Sequence, residues 1–284
     1  MRDEAGRYGC TISAMSAGGT CALSIVVPTR NEAPNIAVLV RRLKGALEGF
    51  GDGWELIFVD DSDDGTPQVV RALAQEGDVQ IRLLHRERDA RSGGLGGAVR
   101  GGFAIAQGQV IAVMDADLQH PPEVLPALVA PALSGEAELV AASRYCKGGG
   151  TGGLDGPWRR FVSWSCRWMA RRLVPASKPL EDPLSGLFAL RRSVIEEARL
   201  RPDGYKILLE VAARGNWRTA TNVPYAFAER YAGNSNAGLR EGLIFFRHLT
   251  RLALSSRGRH VLGTVSPAAP TPASQSPRVA VKLP

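Results

Sequence analysis

Apolar positions along the first half of the chain switch repeatedly between two periods. Residues 23–28, Leu-Ser-Ile-Val-Val-Pro, form a short apolar run closed by a proline, the pattern of a buried strand. Ile36, Leu39, Val40, Leu43 and Leu47 then recur at helical spacing and predict a helix over 35–47. A β-rich run over 54–59 ends in Asp60-Asp61-Ser62-Asp63-Asp64-Gly65-Thr66. A second helix follows to Gln75, with Thr66 suited to its N-cap, and a third strand covers 79–84. The alternation continues with a helix over 97–107, a strand over 110–114, a helix over 122–133 and a strand over 139–142. Strands alternating with helices predict a mostly parallel α/β sheet with helices on both faces. Ligands of such sheets bind beyond the carboxyl ends of the strands, and polar clusters at 29–32, 60–64 and 115–119 fall at three of those ends.

The second half is less regular. Residues 148–153 form a glycine-rich, flexible loop, and 158–173 a basic, aromatic-rich helix. Short strands are predicted at 187–190 and 222–224, with a helix over 206–213 between them. A further helix over 239–254 is amphipathic. Leu239, Leu243, Ile244, Phe246 and Leu254 are its apolar positions, and Arg240, Arg247, Arg251, Arg257 and Arg259 supply basic ones in and just after it. Such a helix suits the interface of a membrane; the alternative is a helix packed on the domain with its arginines solvated. No run approaches the ~20 apolar residues that cross a bilayer. Residues 1–21 lack the continuous apolar stretch of a secretory signal and are expected to be a disordered extension. The Pro-, Ala- and Ser-rich segment 261–284 is expected to be a disordered tail.

Composition adds limits. A chain of 284 residues with 44% apolar content can close one large core. Cys10, Cys21, Cys146 and Cys166 form no C-x-x-C pair, which argues against a zinc site or a disulfide framework and for a reducing compartment. A net charge of +7 favours acidic partners: nucleic acid, anionic lipid or a phosphorylated substrate. The same arginine content also follows from a GC-rich genome, so charge alone does not choose among them.

Asp115-Ala116-Asp117 is the central candidate. Two carboxylates at i and i+2 on a strand end can face one ligand, and Gln119 adds a neutral oxygen. Such hard donors suit Mg²⁺ or Mn²⁺, although a solvated turn accounts for the same residues. The carboxylates over 60–64 could accept hydrogen bonds from a nucleobase, coordinate metal, or serve only turn and capping chemistry. Arg91-Ser-Gly-Gly-Leu-Gly-Gly97 matches neither phosphate-loop nor dinucleotide-binding spacing. No hydrolase motif occurs, and His85, His120, His248 and His260 are scattered.

Taken together, these segments resemble the family-2 inverting glycosyltransferases of the GT-A fold, and more closely the polyprenol-phosphate (dolichol-phosphate) mannosyltransferases. The matching pieces are Val26-Val-Pro-Thr-Arg-Asn-Glu32, Val59-Asp-Asp-Ser-Asp-Asp-Gly-Thr66 and Gly94-Leu-Gly-Gly-Ala98, then Met114-Asp-Ala-Asp-Leu-Gln-His-Pro-Pro-Glu123. Ser143-Arg-Tyr145, Asp182-Pro-Leu-Ser-Gly186 and Gly204-Tyr-Lys-Ile-Leu-Leu-Glu210 complete the set. The resemblance implies a transferase domain over 22–236, followed by the basic helix over 237–260. It implies a nucleotide-sugar donor bound by Pro28, Arg30, Glu32, Val59, Asp61, Ala116 and Arg230. Asp115, Asp117 and Gln119 would hold Mg²⁺ or Mn²⁺, and Arg144, Arg159 and Ser163 the acceptor phosphate, with Asp115, Asp117 and Arg144 central to catalysis. The implied reaction moves mannose from GDP-mannose to polyprenyl phosphate, giving a β-linked product. A UDP-glucose donor, another family-2 transfer and a non-catalytic nucleotide-sugar binding subunit are the alternatives. The expected setting is cytoplasmic, at a membrane surface, with a separate membrane-anchoring subunit as a further partner and no nucleic acid. Two positions depart from the family pattern: Arg30 stands where an aromatic residue is usual, and Asn236 where a lysine is usual.

Overall fold

The computed structural model describes residues 10–13, 21–50, 53–152, 156–201, 204–228 and 239–255. Its strands are β1 (Cys10–Ser13), β2 (Leu23–Thr29), β3 (Trp54–Asp60), β4 (Ile81–Arg86), β5 (Val110–Val113), β6 (Leu139–Ser143), β7 (Phe188–Arg191) and β8 (Ala220–Pro224). They form one sheet in the order β1-β4-β3-β2-β5-β7-β6-β8. β4, β3, β2 and β5 are mutually parallel. β7 runs antiparallel between β5 and β6, and β8 is parallel to β6. The helices are α1 (Ala33–Ala46), α2 (Thr66–Glu76), α3 (Gly94–Ile105), α4 (Leu125–Ser134), α5 (Gly156–Leu173), α6 (Ile207–Arg214) and α7 (Leu239–Ser255).

Every residue of β2, β3, β5 and β6 is buried, as expected of strands covered on both faces. Alternate side chains divide between two cores. Ile25, Leu56, Phe58 and Ala112 join Leu39, Leu43, Val70 and Leu128 from α1, α2 and α4. Val26, Ile57, Val59 and Ile111 join Val99, Phe103, Leu208 and Val211 from α3 and α6. Close contact on this second face depends on Gly102, where a Cβ would come within 2.4 Å of Val26 Cγ1. A third cluster gathers Ala170 of α5, Leu209 and Ala213 of α6, and Phe245, Leu249 and Leu252 of α7.

Three expectations need correction. Within the N-terminal segment read as disordered, Cys10–Ser13 is a strand that pairs antiparallel with the edge strand β4. An open edge offers unpaired backbone groups to any extended segment, a demand that leaves no hydrophobic pattern to read. Thr66 is not the N-cap of α2 but lies inside it; Asp64 Oδ1 accepts from both the Thr66 amide, at 2.9 Å, and its hydroxyl, at 2.5 Å. The glycine loop after β6 is tied down: Gly150 bridges Ala226, accepting from the Phe227 amide at 2.9 Å and donating to the Tyr225 carbonyl at 3.0 Å. The segment 261–284 lies outside the described residues.

Candidate active site

The polar clusters predicted at strand ends do converge. β2 lies between β3 and β5, so the loops leaving these three strands meet at the carboxyl edge of the sheet, where α/β folds open a crevice. Asn31 holds the first loop in place. Its backbone is left-handed at φ 59°, its amide donates to Ser62 Oγ at 2.7 Å, and its Oδ1 accepts from the Asp63 amide at 3.0 Å. Pro28 is buried, Arg30 is exposed, and the Glu32 carboxylate accepts from Asn35 Nδ2.

The acidic run after β3 is neutralised from within the fold. Asp60 accepts from Thr29 and Ser62 hydroxyls at 2.7 and 2.5 Å and meets His85 Nδ1 at 2.6 Å. Asp61 is held in a buried two-point pair by Arg86, with Nε and Nη2 at 2.7 and 2.5 Å. Asp63 receives Arg88 and Arg91 at 3.1 and 3.0 Å, and those two guanidinium groups hold its carboxyl below the usual range. These contacts supply the structural use weighed for this run. Asp61 nevertheless stays beside Val59 at the strand end, where the donor base was expected. In the first turn of α3 the Gly96 amide donates to the Gly204 carbonyl at 2.8 Å.

Asp115, Ala116 and Asp117 follow β5 after Met114, and Ala116 and Asp117 are buried. Asp117 Oδ1 accepts from the Gln119 amide at 3.0 Å, closing an Asx turn that Leu118 completes at φ 63°. The Gln119 side chain donates to the Ala228 carbonyl at 3.4 Å, and the Ala228 amide donates to the Gln119 carbonyl at 3.0 Å. Asp115 is 31% exposed. It has room only because residue 186 is glycine, since a Cβ there would lie 2.3 Å from Asp115 Oδ2. Among the described residues no three His, Cys, Asp or Glu side chains gather into a closed metal cage. Mg²⁺ and Mn²⁺ need none where one or two carboxylates share them with water and substrate phosphate, so this donor set fits such a cation.

Near the aspartates stands an ion pair drawn from two distant parts of the chain. Arg144, after β6, is partly buried; its Nε donates to Asp182 at 2.8 Å and its guanidinium lies 5.1 Å from the centre of the Phe227 ring. Burial opposes its charge, but Asp182 overcomes that and raises the pKa. Tyr145 links this group to α5: its hydroxyl is 2.7 Å from Ser163 Oγ, and Arg167 covers its ring at 4.6 Å. Ser163 and Arg144 are thus brought to one site. Of Arg159 only the backbone, on α5, is described; Arg230 and Asn236 lie outside the described residues.

Sequence reasoning assigned no role to Arg86, Asp182, Arg167 or Lys206. Lys206 donates to the Leu184 carbonyl at 2.9 Å, and its ammonium interacts with Arg144, Asp182 and Asp115. Burial, then the Arg144 charge, push its pKa down to about 8. Asp182 and Lys206 sat within the matched segments, but nothing in one sequence marks a carboxylate and a cation 24 positions apart as neighbours. His120, beside the aspartates, is buried and neutral, its pKa pushed down to about 4 chiefly by desolvation.

Known proteins agree with this arrangement. The family model for Glycosyl transferase family 2 matches residues 24–199. A protein of Pyrococcus furiosus described as dolichol-phosphate mannosyltransferase is 36% identical over 81% of this chain, which spans 63% of that relative's length. One of the same description from Mycosarcoma maydis is 35% identical over 93% of this chain and 87% of its own length. The crystal structure of glucosyl-3-phosphoglycerate synthase from Mycobacterium tuberculosis, in complex with Mn²⁺, UDP and phosphoglyceric acid, superposes with a TM-score of 0.58. It is 25% identical, covering 84% of this chain and 78% of the synthase. An aspartate pair closing a central parallel strand in a GT-A sheet, matched in sequence across most of the chain, places this protein in glycosyl transferase family 2, as a glycosyltransferase.

Proposed function

We propose that the protein is an inverting transferase that moves mannose from GDP-mannose to a polyprenyl or dolichyl phosphate, giving a β-linked polyprenyl-phosphate sugar. The observation that carries this reading is the Asp115-Ala116-Asp117 turn lying near the Arg144–Asp182 pair, whose carboxylate is fully buried. One set of residues suits a donor diphosphate and the other an acceptor anion. The two relatives at 35–36% identity, both described as dolichol-phosphate mannosyltransferases, support the sugar and the acceptor.

A phosphate monoester is already largely ionised near neutral pH, with a second pKa of about 6. Its oxygen attacks the anomeric carbon as the bond from that carbon to the donor phosphate breaks, and the electron pair leaves with the nucleoside diphosphate. No strong base is required, which fits the use of His85 and His248 in carboxylate pairs within the fold. Arg144 would hold the attacking phosphate, with Ser163 and Arg159 supporting it from α5. Pro28, Arg30, Glu32, Val59, Asp61 and Ala116 would line the donor site, and Arg230 would contact its phosphates. Asp115, Asp117 and Gln119 would hold Mg²⁺ or Mn²⁺, which when bound neutralises developing charge on the leaving group.

Arg30 and Asn236 favour a second reading, a UDP-glucose donor, because they alter the family pattern on the donor side. The test is a donor panel with purified protein, a short polyprenyl phosphate and Mg²⁺ or Mn²⁺. GDP-mannose should be turned over, and Asp117→Ala should lower transfer by roughly a thousandfold. Full activity in a chelator, or transfer from no donor in the panel, refutes the scheme.

We further propose that the protein works at a membrane surface, in the cytoplasm, with a separate anchoring subunit as partner. No helix among the described residues is long and apolar enough to cross a membrane. Trp158, Phe161, Trp164 and Trp168 on α5, and Leu243, Phe246 and Leu254 on α7, are exposed, which supports peripheral contact.

A further inference from the structure

His120 lies in the turn that carries the aspartates, yet the reaction scheme leaves it unused. Its imidazole is buried against two rings, Tyr225 at 5.5 Å and Phe227 at 5.6 Å between centroids. On another side lies Gly186, where an added Cβ would be 3.0 Å from His120 Cε1. These contacts leave the ring little freedom to rotate. Nδ1 lies 3.5 Å from Asp115 Oδ2, beyond a full hydrogen bond, and makes no other hydrogen bond. A buried polar nitrogen in that position costs stability unless a partner closes on it. A movement of Asp115 by a few tenths of an ångström would complete the bond.

We propose that His120 is a positioning residue for Asp115, its Nδ1–H directing the carboxylate toward the cation. The aromatic rings fix the imidazole, Gly186 leaves space for the carboxylate, and Nδ1 sets its orientation. A partner that orients a ligating carboxylate in this way tunes metal affinity without touching the metal. The inference rests on the reading of Asp115 as a ligand of Mg²⁺ or Mn²⁺.

The test compares two amides in the full-length chain. In His120→Asn the side-chain nitrogen can take the place of Nδ1; in His120→Gln the longer side chain carries it toward the place of Nε2. Both variants lose the imidazole, so packing loss is common to them. Mn²⁺ binding in the presence of GDP is read from the paramagnetic resonance signal of free Mn²⁺. We expect His120→Asn to stay within about threefold of the unmodified protein and His120→Gln to bind at least about tenfold more weakly. Equal affinities in the two variants overturn the positioning role while leaving the metal reading intact. An unmodified chain that binds no Mn²⁺ with GDP overturns the metal reading and this inference with it.

Discussion

At the scale of single residues, the site depends on what is missing at position 186. An alanine there would press its Cβ to 2.3 Å from Asp115 Oδ2, a separation that non-bonded atoms do not adopt. The carboxylate is the more mobile group and would swing away, taking the metal-facing oxygen with it. Gly186→Ala is therefore expected to weaken Mn²⁺ binding by about tenfold or more. Unchanged Mn²⁺ affinity in a titration with GDP would show that Asp115 does not face the cation. The aspartates themselves were legible in the sequence because their chemistry is local: Asp115, Asp117 and Gln119 share one turn. Arg86, Asp182, His120 and Lys206 were not assigned roles because theirs arises from contacts across the fold. Arg86 meets Asp61 from 25 positions away and Arg144 meets Asp182 from 38. The density of carboxylates over 60–64 was visible, but the arginines and histidine that pair with it arrive on β4 and its following loop.

At the scale of elements, hydrophobic period located the strands and helices of the first half because β2, β3, β5 and β6 are buried on both faces. The periodicity could not reveal β1, whose pairing is through the backbone, nor how α7 is used. The apolar positions noted on α7 are mostly its outward ones, Leu243, Phe246 and Leu254; it docks through Phe245, His248, Leu249 and Leu252. The helix therefore packs on the domain, as one of the two alternatives had it, and keeps an exposed apolar side. The clamp is Glu210 of α6. This fully buried carboxylate meets His248 Nε2 at 2.8 Å and Arg214 Nε at 2.8 Å, and it accepts from the Arg201 amide at 2.7 Å. Burial opposes its charge, but His248, the Arg201 amide and Arg214 prevail and lower its pKa from 4.5. A depressed carboxylate contributes stability above its unfolded pKa and loses it as pH falls through the lower folded value. Glu210→Leu should cost about 1–3 kcal/mol at neutral pH, because it leaves the buried His248 ring nitrogen and the Arg201 amide without their acceptor. The stability gap between the parent protein and Glu210→Gln should narrow as pH falls below 4.5. Thermal melts that stay a constant distance apart through that range would show that Glu210 is not an ionised clamp.

At the scale of the whole molecule, the exposed aromatics on α5 lie on the helix that carries Ser163, whose hydroxyl is joined through Tyr145 to the Arg144 site. A surface that enters the headgroup region would therefore bring the phosphate of a lipid acceptor within reach of its binding residues without extracting the chain from the bilayer. Tryptophan is suited to that depth, with an apolar body and a polar N–H. Arg160, Arg167, Arg171 and Arg172 on the same helix, together with a net charge of +7, favour an anionic leaflet. Binding should then have two separable parts. Replacing Trp158, Trp164 and Trp168 together with serine should reduce sedimentation with phosphatidylserine-containing vesicles by roughly tenfold, since affinity scales with buried apolar area. Raising salt should weaken what remains, because only the electrostatic part is screened. Transfer to a short, water-soluble polyprenyl phosphate should be largely preserved in the triple variant, while transfer to a long-chain acceptor in vesicles should fall. If vesicle binding is unchanged, or if both acceptors are affected alike, the aromatic face of α5 serves the fold or another protein instead of the membrane.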